Sequence, residues 1–392
     1  MTMGKPMNLD TIGVGLVGLS ATGGWASVAH EPALGKTPGV QLRALSASSE
    51  QTASRASERY GVPGYGSVEQ MAARDDVDLV AVSVRVPLHY PLVTAALPAG
   101  KNIFCEWPLG NGTEEAQRMT TEAQRLGLRT FVGLQARSAP NLRFLRDLVH
   151  DGQIGEVLST SMVASARRWG GSYHPKNEYL LDRRNGATML TIPFAHTLDA
   201  LEMVLGDLHE VNATLAIRRP LVRNVDTGAL TPMTGEDQVV LAGTLQSGAV
   251  ASMHFRGGLS RGTKFLWEIN GTAGDIVVSG DTGQLQFAQV DIFLGNRQRD
   301  SQLEPMPTPE RYVLPELRDL GGPDNYGYGV GHEYAQLVHD LRTESQTVPD
   351  FVHAVNLHKK LDLIHTAAQT GERVDLSSAS TAASTPDRHR AP

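Results

Sequence analysis

A single cysteine, Cys105, among 392 residues leaves the chain without an internal disulfide or a multi-cysteine metal site. That economy suits a reducing compartment. Long apolar runs are also missing: no stretch of about 18 apolar residues occurs. Residues 1–10 are polar and carry no secretion-signal core, so the expected location is the cytoplasm. No basic excess exists either, with 35 Lys and Arg against 42 Asp and Glu. The basic residues fall as scattered pairs, such as Arg167-Arg168, Arg183-Arg184 and Arg218-Arg219, so direct nucleic-acid binding is not expected. The histidines lack paired ligand spacing, and no metal is expected. What remains is an ordinary globular composition, 41% hydrophobic and 20% charged, long enough for two cores.

Short apolar runs at residues 12–17, 40–45, 79–84, 101–105 and 130–134 alternate with helix-like stretches such as 49–60 and 114–126. Alternation of this kind builds a parallel sheet with crossover helices. The fold class is therefore α/β plus α+β: an N-terminal Rossmann domain, then a domain with a large, mostly antiparallel open β-sheet. The expected divisions are a flexible N-terminus (1–10), a dinucleotide-binding domain (11–138), a substrate and oligomerisation domain whose C-terminal helices return to the first (139–376), and an unstructured tail (377–392). The tail is rich in Ser, Thr, Ala and Pro without periodicity.

Pyrophosphate binding needs glycines in the turn after the first strand. A literal G-x-G-x-x-G occurs at Gly13, Gly15 and Gly18, but Gly13 and Gly15 fall inside the apolar run. The binding turn is read instead as Gly18-Leu19-Ser20-Ala21-Thr22-Gly23-Gly24-Trp25, with Ser20 at the second glycine's place. An acidic residue at the end of the second strand would mark NAD, and none is there. Ser46, Ser48 and the nearby Arg55 suit NADP, so the cofactor is NADP or NAD.

Four segments carry a resemblance: the turn at Gly18, His89-Tyr90, Cys105-Glu106-Trp107-Pro108-Leu109, and Leu134-Gln135-Ala136-Arg137. In order and spacing they resemble the glucose-fructose oxidoreductase/inositol dehydrogenase (Gfo/Idh/MocA) family. Ser20-Ala21, Glu106-Trp107-Pro108 and Leu134-Gln135-Ala136-Arg137 resemble more narrowly the branch containing the fungal galactose-regulon repressor. The resemblance implies that His89, Glu106, Trp107, Gln135 and Arg137 face the cofactor. It also implies two replacements. The family's Glu-Lys-Pro lysine is here Trp107, and its Asp-x-x-x-His aspartate is Ile192, four residues before His196. An indole N–H donates a hydrogen bond but shuttles no proton near neutral pH. On a helix, Ile192 would share a face with His196 and make the site less polar.

Proton handling must then move elsewhere. His196 is the first candidate because imidazole titrates near the working pH, and Lys176 and Tyr179 in the preceding polar segment are the others. Tyr173, Asp199, Trp107 and Ile192 are the candidate substrate contacts. Runs at residues 239–245, 249–255, 265–269 and 274–278 read as antiparallel strands. An open sheet with an uncovered face predicts a homo-dimer or homo-tetramer. Asn325-Tyr326-Gly327-Tyr328-Gly329 reads as a flexible aromatic loop. Two functions fit: an NAD(P)-dependent oxidoreductase acting on a sugar, polyol or related carbonyl compound, or a dinucleotide-binding transcriptional co-regulator without turnover.

Overall fold

The computed structural model describes residues 10–299 and 302–379. The expected flexible N-terminus lies outside them apart from Asp10, whose carbonyl accepts from Arg342 Nη2 at 2.9 Å. The expected unstructured tail also lies outside, except Ser377–Ala379. Those residues form a 3-10 turn with Ala379 buried, because Leu376 N–H bonds His209 O at 2.8 Å and draws the chain onto the second domain.

Six parallel strands build the first sheet: β1 (Ile12–Val17), β2 (Val40–Ser46), β3 (Gly64–Tyr65), β4 (Leu79–Val82), β5 (Asn102–Glu106) and β6 (Thr130–Gly133). Their order is β3-β2-β1-β4-β5-β6. β1, β4 and β6 are buried on both faces, which is why they read as unbroken apolar runs. The connections between these strands carry α1 (Glu31–Lys36), α2 (Glu50–Tyr60), α3 (Val68–Ala72), α4 (His89–Ala96) and α5 (Thr113–Arg125). Helix α2 starts where Ser49 Oγ accepts from Thr52 N at 3.2 Å and stops at left-handed Gly61. Strand order reverses between β1 and β4, so the crevice for a ligand opens at their carboxyl ends.

The second domain follows with α6 (Pro140–His150), β7 (Val157–Ser165), β8 (Ser172–Tyr173), α7 (Ala195–Leu205) and β9 (Leu208–Ala216). Next come β10 (Leu221–Asn224), β11 (Leu230–Pro232), β12 (Gln238–Leu245), β13 (Val250–Arg256), β14 (Phe265–Gly271), β15 (Gly274–Gly280), β16 (Val290–Asn296) and β17 (Glu304–Pro305). The chain closes with α8 (Tyr326–Thr343), α9 (Phe351–Thr370) and β18 (Val374–Asp375). Nine strands join as β17-β16-β15-β14-β7-β13-β12-β9-β18, antiparallel except for the β7–β13 pair. β8, β10 and β11 form a small separate sheet. Trp267 is fully buried against β7, and its Nε1–H bonds Thr160 Oγ1 at 2.7 Å. Burying a side chain of that size contributes about 2–3 kcal/mol.

Helix α8 packs on residues 26–30 and α1, and α9 packs on α5 and β9. The aromatic segment expected as a flexible loop is instead the cap and first turn of α8. Asn325 Oδ1 accepts from Gly327 N at 2.9 Å, which starts the helix there. Among the described residues no helix is long and apolar enough to cross a membrane, and no cluster of His, Cys, Asp or Glu could hold a metal ion.

Candidate functional site

The turn after β1 is built for close approach to a phosphate. Gly18 has φ +91°, and a Cβ there would stand 2.4 Å from Ser83 O, so only glycine fits. Gly13 and Gly15 lie inside β1 against Asp76 and Met71, so the literal glycine motif they complete is a packing feature. Gly23 and Gly24 both have positive φ and open space where a Cβ would project, leaving bare backbone to a ligand. Ser20 Oγ and Thr22 Oγ1 lie 2.9 Å apart beside them, with Ala21 between. Tyr60 donates to Ser20 O at 3.0 Å and Arg59 to Ala21 O, so α2 braces the turn. These features fit a dinucleotide pyrophosphate.

At the end of β2, Ser46 is buried while Ser48 and Arg55 are exposed, and no carboxylate intervenes before Glu50. Glu50 Oε1 is engaged by Gly66 N at 3.1 Å. With no acid to repel a 2'-phosphate, NADPH and NADH are expected to bind within about tenfold of each other. Paired fluorescence titrations measure this, and a preference for NADH well beyond that factor would refute it.

Glu106 at the end of β5 is the hub of a buried chain. Its Oε1 lies 2.7 Å from His30 Nε2, and His30 Nδ1 lies 2.8 Å from the Tyr334 hydroxyl on α8. Trp107, next in sequence, is 4% exposed. Its Nε1 donates to Thr191 O at 2.7 Å, and its ring stands 4.6 Å from that of His358. The indole thus ties the Rossmann domain to the turn before α7. His89, expected at the cofactor, is committed otherwise: both ring nitrogens face carbonyls, Pro108 O at 2.8 Å and Val84 O at 3.1 Å. Gln135 is buried with its Oε1 unpartnered.

Ile192 sits in a π-helical turn, Leu190–Phe194, so the α-helical spacing that joined it to His196 does not apply to it. It is half-buried and packs on the core. His196 is 3% exposed, and burial lowers its pKa to about 4 against the smaller pull of Glu106 and Asp199. It is neutral near pH 7, so the expected titration at working pH does not hold. Asp199 is engaged on both oxygens. Its oxygens accept from Arg137 Nε at 2.8 Å and lie 2.6 Å from His353 Nε2. Burial would raise that carboxyl, but Arg137 and His353 prevail and hold it well below the ordinary range. Arg137, expected at the cofactor, is engaged through its Nε in the same pair.

Tyr173 is also spoken for: its hydroxyl lies 2.6 Å from Thr231 Oγ1 and accepts from Asn224 Nδ2 at 3.3 Å, bracing the small sheet. Lys176 is exposed and forms no ion pair among the described residues. Tyr179 differs, because the Arg85 guanidinium from the loop after β4 stands 4.5 Å over its ring. That contact joins the two domains at the cleft.

Sequence reading missed His30, Arg59, Arg85 and Glu333, and it ended the glycine turn on Trp25 without giving that residue a role. Burial and the nearby Glu106 push the Glu333 carboxyl well above its ordinary range. Trp25 ends the glycine turn and packs on Tyr326 and Phe287, with centroids 5.2 and 6.3 Å away. Position offers a signal for Trp25, at the end of the glycine turn, and for Arg85, directly after the third predicted strand. The other partnerships are tertiary.

Residues 12–134 match the oxidoreductase family with an NAD-binding Rossmann fold, and residues 140–280 match the C-terminal domain of Gal80p. The galactose/lactose metabolism regulatory protein GAL80 of Saccharomyces cerevisiae is 26% identical across 95% of this chain and 96% of its own. A super-repressor mutant of Gal80p from that yeast has the same fold, with a TM-score of 0.84 at 22% identity over 94% of this chain and 99% of that one. Dehydrogenase aclE of Aspergillus oryzae is 32% identical across 55% of this chain and 61% of its own. Levoglucosan dehydrogenase, solved with NADH and L-sorbose, shares the fold with a TM-score of 0.77 at 20% identity, covering 95% of this chain and 100% of that one. The chain belongs to the Gfo/Idh/MocA oxidoreductase family, in its Gal80-like branch, with an NAD-binding Rossmann domain at its N-terminus.

Proposed function

We propose that the protein is an NAD(P)-dependent oxidoreductase acting on a carbohydrate-like alcohol or carbonyl compound, with Tyr179 as its proton-handling group. The observation that carries this reading is the Arg85 guanidinium 4.5 Å over the Tyr179 ring, at the carboxyl edge of the first sheet. A nicotinamide supplies the hydride chemistry when bound, and the chain must orient the substrate and move one proton. His196 is neutral and sealed on its Nδ1 side, and Lys176 has no anchor. A phenol beside a fixed cation can donate to a developing alkoxide and accept the proton back in the reverse direction. Tyr179→Phe is expected to lower kcat by about 100-fold with NADH affinity unchanged. Reduced-nicotinamide absorbance across a panel of sugars and keto-sugars checks this, and an unaltered kcat would remove Tyr179 from the role.

A dinucleotide-binding regulator without turnover is the alternative, favoured by Trp107 and Ile192 at the family's two proton-handling positions and by the full-length likeness to GAL80. Cofactor binding with no absorbance change for any compound of the panel would select it.

The outer face of the large sheet supports self-association. Ser159, Ser161 and Val163 on β7 stand beside Val250, Ser252 and His254 on β13 in register, giving small side chains on which a second flat sheet can lie. A homo-dimer or tetramer is the expected state. Light scattering at micromolar concentration tests it, with a monomer as the contrary outcome.

A further inference from the structure

The sequence scatters its arginine pairs, and the fold gathers two of them. Arg167 and Arg168 leave the end of β7, while Arg218 and Arg219 leave the end of β9. Both pairs meet the Gly257-Gly258 bend after β13: Gly258 N–H bonds Arg168 O at 2.8 Å, and Arg219 Nη1 donates to Gly257 O at 3.3 Å. Arg256, Arg261 and Lys264 belong to the same bend, where Arg256 Nη2 donates to Thr263 O at 2.7 Å. Two carboxylates answer these cations. Asp237 pairs with Arg219 at 3.1 Å, and Asp281 pairs with Lys264 at 2.8 Å. Arg167, Arg168, Arg218 and Arg261 are exposed and form no ion pair among the described residues. In a chain of net charge −7, this is a concentrated positive field.

The patch adjoins the candidate site. Asp237 holds the patch, taking Arg218 N–H at 2.7 Å on its other oxygen. Glu236, the residue before it, holds the site: its Oε1 accepts from Thr188 Oγ1 at 2.5 Å and from Leu190 N at 2.9 Å. That is the turn containing Ile192 and the Thr191 carbonyl to which Trp107 is bonded. Trp169 follows Arg168 directly, and the chain then continues through Tyr173 to Tyr179.

We propose that the substrate carries an anionic group, a carboxylate or a phosphate on a carbohydrate frame, held by Arg168 and Arg218 at the mouth of the site. This rests on the oxidoreductase reading for the word substrate, and on the charge arrangement alone for the anion. Guanidinium groups bind such oxyanions through paired N–H donors. A neutral sugar would leave the exposed cations unused, whereas an anionic one would be drawn in by the surrounding field.

The test is calorimetric titration of the NADH-loaded full chain with D-gluconate, glucose 6-phosphate and neutral D-glucose. At least one anionic sugar is expected to bind about tenfold or more tightly than glucose, and comparing the two separates carboxylate from phosphate recognition. Arg168→Gln combined with Arg218→Gln should remove that advantage. Raising salt from about 50 to about 300 mM should erode it in the parent chain. Equal affinity for glucose, an unchanged double variant, or tighter binding of poly-glutamate than of either sugar overturns the proposal. Turnover on the same panel keeps the two readings apart. Anions that bind without reacting refute the oxidoreductase and leave the anion site standing, and neutral sugars that bind better and react do the reverse.

Discussion

Replacing Asp199 with alanine is expected to cost about 3 kcal/mol of folding stability, with little dependence on any ligand. The carboxylate is fully buried and bonded on both oxygens. Its removal strands a guanidinium from the first domain and an imidazole from α9 around an empty space. Breaking a buried ion pair costs about 3–5 kcal/mol when the survivor cannot rehydrate. The side chains of Arg137 and His353 are 22% and 32% exposed, so water can reach them and the lower end applies. Urea denaturation gives the value. A substrate-contact role predicts the contrary result, an unmoved midpoint with a raised KM. Asp199→Asn, which keeps the volume and one acceptor, should lie between the parent chain and the alanine variant.

The sheet plan was legible in the sequence because β1, β4 and β6 are buried on both faces and so carry uninterrupted apolar residues. β7 was not, because its inner Thr160 is polar and is satisfied by Trp267 Nε1 and Glu268 O, more than 100 positions away. The two-residue β3 leaves too short a pattern to read. The site divides in the same way. Gly18 and Gly23 are local features and read as a turn, which their positive φ matches. The partners of His89, Tyr173, Arg137 and Asp199 could not be read in the same way, because most of them lie far away in sequence. Trp107 shows the distinction best. It read as a vacancy where a lysine belongs, yet its indole bonds Thr191 O and packs on His358, and a lysine would lose the ring packing.

Acidification from pH 7.5 to pH 5 is expected to remove about 3 kcal/mol of stability, chiefly through three buried histidines. His196 and His332 are lowered to about 4 and His358 to about 3, each by burial first. Geometry fixes the neutral form of His332 independently. Its Nε2 accepts from Leu314 N at 3.0 Å while Nδ1 donates to Tyr328 O at 2.9 Å, so an added proton would confront an N–H. A histidine whose folded pKa lies below the ordinary 6.5 binds its proton more readily when unfolded. Its contribution is therefore complete above about 6.5 and is lost as pH falls toward about 4. At pH 5 each histidine forfeits about 2 kcal/mol. Glu333 acts in the opposite sense, because acid relieves the strain on its raised carboxyl, so the net loss falls below the sum over the three histidines. Asp199 enters only at lower pH, below the ordinary aspartate range. Urea midpoints across this window measure the net slope, and equal midpoints at its two ends would contradict it. His332→Asn removes one titrating group, so its stability should vary less with pH than the parent's by about 2 kcal/mol over the same interval.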